Sequence, residues 1–450
     1  MKPGDAPLRI LVTGATGYIG ARLVPRLLDA GHRVRVLVRT PEKIRNTAWA
    51  EDVEVVQGDL TDPGSVRRAC EDVDVAYYLV HSMGGDGDFE DVERRSAQHV
   101  ADAAFDAGVG RIVYLGGLQP ESPEVSKHLR SRGQVADILQ RSGVPTMVLQ
   151  AGVVIGSGSA SFEMIRHLSD RLPVMTTPRW VNNRIQPIAV SDVLHYLVAA
   201  ATAPLAQSRA YDIGGPDILR YGEMMQVYAE LAGLRRRRIL VLPLLTPKLA
   251  GLWIGLVTPI PTGLGRALIE SLTTDAITSE KDIDAVIPPP PGGTTGYRDA
   301  VARALAASRS GNVETSWAGA SPVDAPADPL PSDPAWAGGT VYTDDRGLDV
   351  SRPVEQVWAD IASRARTGAW RVEQDEQPHL LRLRSARRLP ARAWIEYRLQ
   401  PRGAHATRVE QHTVVVPKGL AGQLCWHGAL PLRGRVLNRM LRSVSAGGKG

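Results

Sequence analysis

The sequence predicts an α/β protein: a doubly wound parallel sheet with a substrate subdomain, followed by a smaller α+β module. Three observations lead there. Short, mainly apolar segments alternate with helical ones through the first 150 residues. A glycine-rich turn joins the first apolar segment to the first helical one. Past a stretch rich in Ala, Pro, Ser, Asp and Gly, the pattern changes to strands that alternate apolar and polar residues.

The chain's 450 residues exceed one ordinary domain and suggest two or three. With 43% hydrophobic and 22% charged residues, a wholly disordered chain is excluded. Two cysteines, Cys70 and Cys425, exclude a disulfide framework and a structural zinc site, and fit a reducing compartment. A strand-like run beginning at Leu8 leaves no room for a signal peptide. The one strongly apolar stretch, Ile239 to Pro261, is broken by Pro243, Pro247, Lys248 and Pro259, so a membrane span is not expected. A cytoplasmic location is the expectation.

The elements follow in order. Strands are expected at Arg9–Thr13, Val34–Arg39, Val53–Gln57, Val75–Leu79, Arg111–Leu115 and Thr146–Gln150. Helical spacing covers Ile19–Ala30, Ser65–Cys70, Asp88–Ala107 and Leu129–Arg141. Strands apolar on both faces, alternating with helices, imply a parallel sheet covered on both sides. Beyond Gly152 helices are expected at Ser161–Asp170, Asp192–Ala200, Tyr221–Ala232 and Tyr297–Ala307, with short strands at Gln186–Val190 and Ala210–Ile213. Residues 1–307 thus form the first domain, its substrate subdomain mainly 153–300, and 308–339 read as a linker. In 340–446 a helix at Val354–Ile361, strands at Leu380–Arg388, Ala393–Gln400 and Thr407–Val416, and a last helix at Leu420–Val444 make the second module.

Charge is unevenly spread. From Val341 onward 19 basic residues face 10 acidic ones, while the preceding 340 residues carry 34 against 38. A basic module suggests an anionic ligand, a membrane surface or a partner protein, with a solvated Arg-rich surface as the rival. No zinc-finger spacing or RNA-binding signature points to nucleic acid.

The sharpest motif is Thr13-Gly14-Ala15-Thr16-Gly17-Tyr18-Ile19-Gly20, placed between the first strand and the first helix. Glycines there permit a tight turn and let the backbone approach a pyrophosphate, which the positive end of the helix receives. Gly14, Thr16, Gly17, Tyr18, Ile19 and Gly20 are therefore the expected nucleotide loop. The second strand ends in Val38-Arg39-Thr40, with no acid for a ribose 2′-hydroxyl and an arginine suited to a 2′-phosphate. NADP(H) is the expected cofactor, with NAD(H) as the alternative. Asp59-Leu60 follows the third strand, where an acid can accept from an adenine amino group or serve as an ordinary turn residue.

Through Gly14–Gly20, Gly58-Asp59-Leu60 and Val113-Tyr114-Leu115-Gly116-Gly117, the chain resembles the extended short-chain dehydrogenase/reductase superfamily. It is most similar to the atypical, NmrA-like branch whose members carry a C-terminal domain of unknown function. Gly156–Met164, Leu172–Trp180, Gln186–Val193 and Leu242–Pro261 carry the resemblance further. It implies a Rossmann fold and adds Leu79 and Gly116, at the ends of the fourth and fifth strands, to the cofactor contacts. Active members use a Ser, a Tyr and a Lys. Aligned on the turn Ser142-Gly143-Val144-Pro145, the tyrosine position holds His128 and the lysine position Arg132, while the serine position falls at Gly116 or Gly117. Arg132 can bind ribose or phosphate but cannot relay a proton. His128 can exchange protons near neutral pH, or it contacts cofactor without chemistry. His81, after the fourth strand, is a second candidate. The resemblance implies an oxidoreductase acting on an apolar carbonyl, quinone or polyketide-like substrate; the alternative is a non-catalytic NAD(P)-sensing or assembly protein.

The segment Val350–Trp358 resembles the opening of START/polyketide-cyclase-like helix-grip folds, which bind apolar ligands. Trp358, Trp370, Trp394 and Trp426 could line such an interior or simply pack a core. Arg235–Arg238 beside Ile239–Pro243 reads in two ways. It could dock peripherally on anionic lipid, or the arginines end a helix and the apolar run is a strand of the substrate region. The sequence leaves the oligomeric state open.

Overall fold

The structure, a computed structural model, describes residues 6–45, 47–80, 89–119, 126–241, 258, 260, 262–306, 342–367, 370–386, 390–403, 405–417, 419–428, 437 and 441. It forms two compact units, one built mainly from residues 1–169 and 174–308 and the other containing everything from Tyr342 onward. The expected linker lies outside the described residues.

The first unit is built on a seven-stranded sheet. Its strands are β1 (Arg9–Thr13), β2 (Arg33–Val38), β3 (Glu54–Gln57), β4 (Val75–Tyr78), β5 (Arg111–Gly117), β6 (Thr146–Ala151) and a last strand at Arg209–Ile213. All pair in parallel, in the order Arg209–Ile213, β6, β5, β4, β1, β2, β3. The side-chain period of two explains why the strands read as mainly apolar runs. Ile10, Val12, Val34, Val36 and Val38 enter one core, with α1 (Gly20–Asp29) and α6 (Val190–Ala200) over it. Leu11, Leu37, Ala76 and Tyr78 enter the other, under α2 (Pro63–Cys70), α3 (Phe89–Asp106) and α4 (Lys127–Gln140). Cys70 is fully buried in that second core, and burial pushes its thiol up to about 11.

Local chemistry sets the helix starts. Asp62 caps α2, its carboxylate accepting from the amides of Gly64 (3.0 Å) and Ser65 (3.1 Å), with Pro63 in the first turn. Ser126 caps α4 by accepting from Leu129 N. At the far end of α4, Gly143 takes φ +83° in the turn that leads into β6.

The substrate subdomain departs from expectation in places. The single strand expected at Gln186–Val190 is two short ones, Arg184–Ile185 and Ile188–Ala189, and Val190 already begins α6. Gln186 and Pro187 between them turn inward: Gln186 donates to Gly215 O, and its Oε1 accepts from Thr278 N and Oγ1. The helix Thr262–Ser271 and the strand Val174–Thr177 have no counterpart among the elements expected from sequence. That strand pairs in parallel with Arg238–Val241, so the apolar run after the arginines starts as a strand. Arg237 is buried there, donating to Ser169 O and Arg235 O. Among the described residues no helix is long and apolar enough to cross a membrane.

The second unit is a five-stranded antiparallel sheet in the order Tyr342–Val350, Thr407–Pro417, Ala391–Pro401, Leu380–Ser385, Trp370–Glu376. Its helix Val354–Thr367 buries Val354, Val357, Trp358 and Ile361 against Leu383, Ile395, Tyr397 and Val409. The closing helix is described only as Gly419–Gly428, and most of the chain beyond Gly428 lies outside the described residues. The helix-grip arrangement therefore reduces to an antiparallel sheet with helices. The four tryptophans do not share one interior. Trp358 sits in this core with Trp370 at its margin, Trp394 packs with Val414 in a separate cluster, and Trp426 stacks on Tyr342.

Candidate functional site

The strand order reverses between β1 and β4, the position where open α/β sheets bind ligands beyond their carboxyl ends. A cleft of about 990 Å3 opens there. Its wall collects residues at or just past the carboxyl end of one strand after another: Gly14, Arg39, Gly58 with Asp59, Leu79, Gly116 with Gly117, and Gly152.

The glycine loop is shaped by sterics. Gly14 has φ +76°, and a Cβ on it would lie 2.8 Å from the carbonyl of Leu79. A Cβ on Gly20 would lie 2.2 Å from Gly14 O, so Gly20 lets the helix start pack against the loop and does not line the cleft. Gly17 differs: its Cβ would meet only Gly14 O, at 3.2 Å. Thr16, Gly17, Tyr18 and Ile19 all line the cleft, and no side chain caps α1 at Ile19 or places an acid in its first turn. That leaves the positive end of the helix to an anion. Arg22, buried in α1, braces the loop by donating to Tyr18 O (3.1 Å) and Ser157 O (3.4 Å), its guanidinium 4.1 Å from the centre of the Tyr18 ring.

On one flank, Arg39 Nη1 stands 3.9 Å from Asp59 Oδ2, while Asp59 Oδ1 accepts from Thr61 N and Oγ1 at 2.8 Å. Ser65 Oγ donates to the carbonyls of Asp59 and Asp62, fixing the turn that presents Asp59 and Leu60. The hydrogen bonds of Asp62 to the amides of Gly64 and Ser65 hold its carboxyl below the usual carboxylate range.

On the other flank, β5 ends in Gly116 and Gly117 beside α4. His128, buried in the first turn of α4, and Arg132 one turn on both line the cleft. Arg132 Nη2 donates to Leu115 O (2.7 Å), and its buried Nε has no hydrogen-bond partner. A Cβ at Gly117 would lie 3.3 Å from Leu129 and 3.8 Å from Arg132 Nε. The Tyr114 hydroxyl donates to Arg132 O, and burial raises its pKa. His81 lies outside the described residues, though the preceding Leu79 and Val80 line the cleft.

Two buried acids are not singled out by the sequence. Glu93 of α3 accepts a short hydrogen bond from Ser131 on α4, next to Arg132. Glu163, in α5 (Ala160–Arg171) and fully buried, accepts from Gly158 N at 2.9 Å, with Arg166 at 3.4 Å and His167 at 3.8 Å from its two oxygens. It thereby holds the turn whose Gly158, Ser159 and Ala160 line the cleft. Glu163 falls within the family-like segment Gly156–Met164, but the role of each acid is recognised only by its burial. Much of the remaining wall is apolar, from Phe89, Val92, Leu118, Met164, Leu264 and Leu268, with Ser96, Ser161, Ser271, Thr274 and Asp275 among them.

A Rossmann sheet with a glycine loop and a cleft at the strand-order reversal has the architecture of a dinucleotide-binding protein. Residues 14–170 match the NAD(P)H-binding family and residues 345–440 a family described as a protein of unknown function, DUF2867. The chain is 32% identical over 232 residues to (4-alkanoyl-5-oxo-2,5-dihydrofuran-3-yl)methyl phosphate reductase of Streptomyces griseus, covering 50% of this chain and 74% of that protein. It is 28% identical over 306 residues to ceramide reductase of Caulobacter vibrioides, covering 66% of this chain and 94% of the relative. Among solved structures it shares its fold with triphenylmethane reductase of Citrobacter sp. in complex with NADP(H), at TM-score 0.52 and 19% identity, covering 66% of this chain and all of that one. The chain belongs to the NAD(P)H-binding family of atypical, NmrA-like short-chain dehydrogenase/reductases, with a C-terminal DUF2867 domain.

Proposed function

We propose that the chain is an NADPH-dependent reductase of an apolar carbonyl or quinone. The observation that carries this reading is that one cleft gathers the glycine loop, Arg39 and Asp59, the His128–Arg132 segment and a largely apolar wall. Gly14, Thr16, Gly17, Tyr18 and Ile19 would hold the pyrophosphate, Arg39 the 2′-phosphate, Asp59 and Leu60 the adenine, and Leu79, Gly116 and Arg132 the ribose and nicotinamide. The bound cofactor supplies a hydride. His128 then supplies the proton to the substrate oxygen, since Arg132 stays charged and cannot. The similarity of this chain to two reductases, one of ceramide and one of an alkanoyl-furanone phosphate, supports a reductase reading.

One observation favours a second reading, a non-catalytic NAD(P)-sensing or assembly protein: the Ser-Tyr-Lys set is absent, with Gly116 and Gly117, His128 and Arg132 in its place. Peripheral contact of the Arg235–Arg238 region with anionic lipid is compatible with either reading. NADPH absorbance followed with a panel of aliphatic ketones and quinones decides between the two. A reductase consumes NADPH with at least one of them; tight NADPH binding with no consumption across the panel supports the second reading.

A further inference from the structure

One residue of the cleft wall carries a buried hydroxyl without a partner. Tyr221 opens α7 (Tyr221–Leu231), is 1% exposed, and lines the cleft. Its ring packs edge-on against Trp180, with centroids 5.4 Å apart. Its Oη makes no hydrogen bond. Other buried tyrosines of the same unit find acceptors: Tyr77 donates to Leu197 O at 2.7 Å and Tyr297 to Met224 O at 3.0 Å. A phenol kept dry and unpaired costs stability that a phenylalanine in the same space would not. Thr177 Oγ1 and Trp180 Nε1 are also unpaired, but neither residue lines the cleft.

The neighbouring wall describes what could accept that hydrogen bond. Leu264, Leu268 and Leu272 recur every fourth residue and line the cleft with Met164. Ser271, Thr274 and Asp275 line the same end, so the wall is mixed, and an unpaired donor beside these leucines suits a ligand with an apolar body and an acceptor oxygen.

We propose that Tyr221 is the substrate-binding hydroxyl of this cleft, donating to the carbonyl oxygen of an apolar ketone, aldehyde or quinone. Burial raises the phenol's pKa, so it stays protonated and serves as a donor. The choice of a carbonyl rests on the reductase reading above, whereas the contact itself requires no turnover.

The test uses the full chain loaded with NADP+ and two probes of matched shape, 1,4-naphthoquinone and naphthalene, followed by quenching of tryptophan fluorescence. Tyr221→Phe should weaken naphthoquinone binding about five- to tenfold, the scale of one neutral hydrogen bond. Naphthalene and NADP+ should bind as in the wild type. In the wild type the carbonyl stretch of bound naphthoquinone should fall below its value in hexane, a readout that needs no variant. Unchanged naphthoquinone affinity, equal losses for both probes, an unshifted stretch, or no binding of naphthoquinone to the wild type would each overturn the assignment. Absence of NADPH oxidation would count against the reductase reading alone and leave these binding ratios standing.

Discussion

Arg39 and Asp59 meet at 3.9 Å, Nη1 to Oδ2, from the ends of the adjacent parallel strands β2 and β3. Their side chains are 78% and 41% exposed, so water screens the pair and little energy holds the arginine to the acid. A dianionic 2′-phosphate would outcompete the carboxylate for that guanidinium.

The cofactor preference rests on this weak pairing. Arg39→Ala should weaken NADPH binding roughly tenfold, as expected for one exposed charge-assisted contact, and leave NADH binding unchanged. Calorimetric titration of both cofactors against both proteins checks it. Equal affinity of the wild type for NADPH and NADH would remove Arg39 from the site.

The loop glycines should separate folding from binding. Gly17→Val should fold, because only Gly14 O stands near the new Cβ, yet block the phosphate approach and abolish measurable NADPH binding. Gly20→Ala drives a methyl into Gly14 O and should lower the melting temperature even without cofactor. Thermal unfolding and titration of both variants give the comparison.

His128→Phe should lower turnover on the order of 100-fold, the scale of general acid catalysis, with little change in NADPH affinity. An unaltered rate in the variant would take His128 out of the mechanism.

Glu163 is fully buried with Arg166 at 3.4 Å. Glu163→Gln can still accept from Gly158 N but takes a counter-charge away from the buried guanidinium. Removing one partner of a buried pair costs roughly 3 kcal/mol or more. Chemical denaturation should show that loss, and cofactor affinity should fall with it, because Gly158 and Ser159 line the cleft.

Asp62 makes stability depend on pH in a stated direction. Its folded pKa lies below the ordinary 3.8, so its contribution is complete above that value and is lost as pH falls through the folded one. Asp62→Ala should melt at a lower temperature than the wild type at pH 7, and the gap should close below about pH 4. A gap that persists in acid would show that the side chain acts only sterically.

The dinucleotide half was legible because its constraints are local. The alternation of Ile10, Leu11 and Val12 between two cores, and the clash that forbids a side chain at Gly20, are written in short runs of sequence. The substrate half was less legible. Gln186 breaks an apparent strand because its partners, Gly215 and Thr278, lie far along the chain. The helix Thr262–Ser271 comes after a proline-rich run that hid its start, and the burial of Glu93 and Glu163 depends on helices brought together only by folding. Tyr221 has the sequence context of any helix-start aromatic, and only the fold reveals a hydroxyl without a partner.

Cys70 is sealed in the sheet's second core with its thiol pushed up to about 11, whereas Cys425, in the helix Gly419–Gly428, is exposed. The thiolate is the reactive form, so a maleimide dye added at neutral pH should attach at a single natural position. That gives the DUF2867 domain a built-in optical reporter, needing no mutagenesis and placed in the unit that does not contain the glycine loop. A change in its emission on adding NADPH would show that this domain responds to the redox cofactor bound by the rest of the chain.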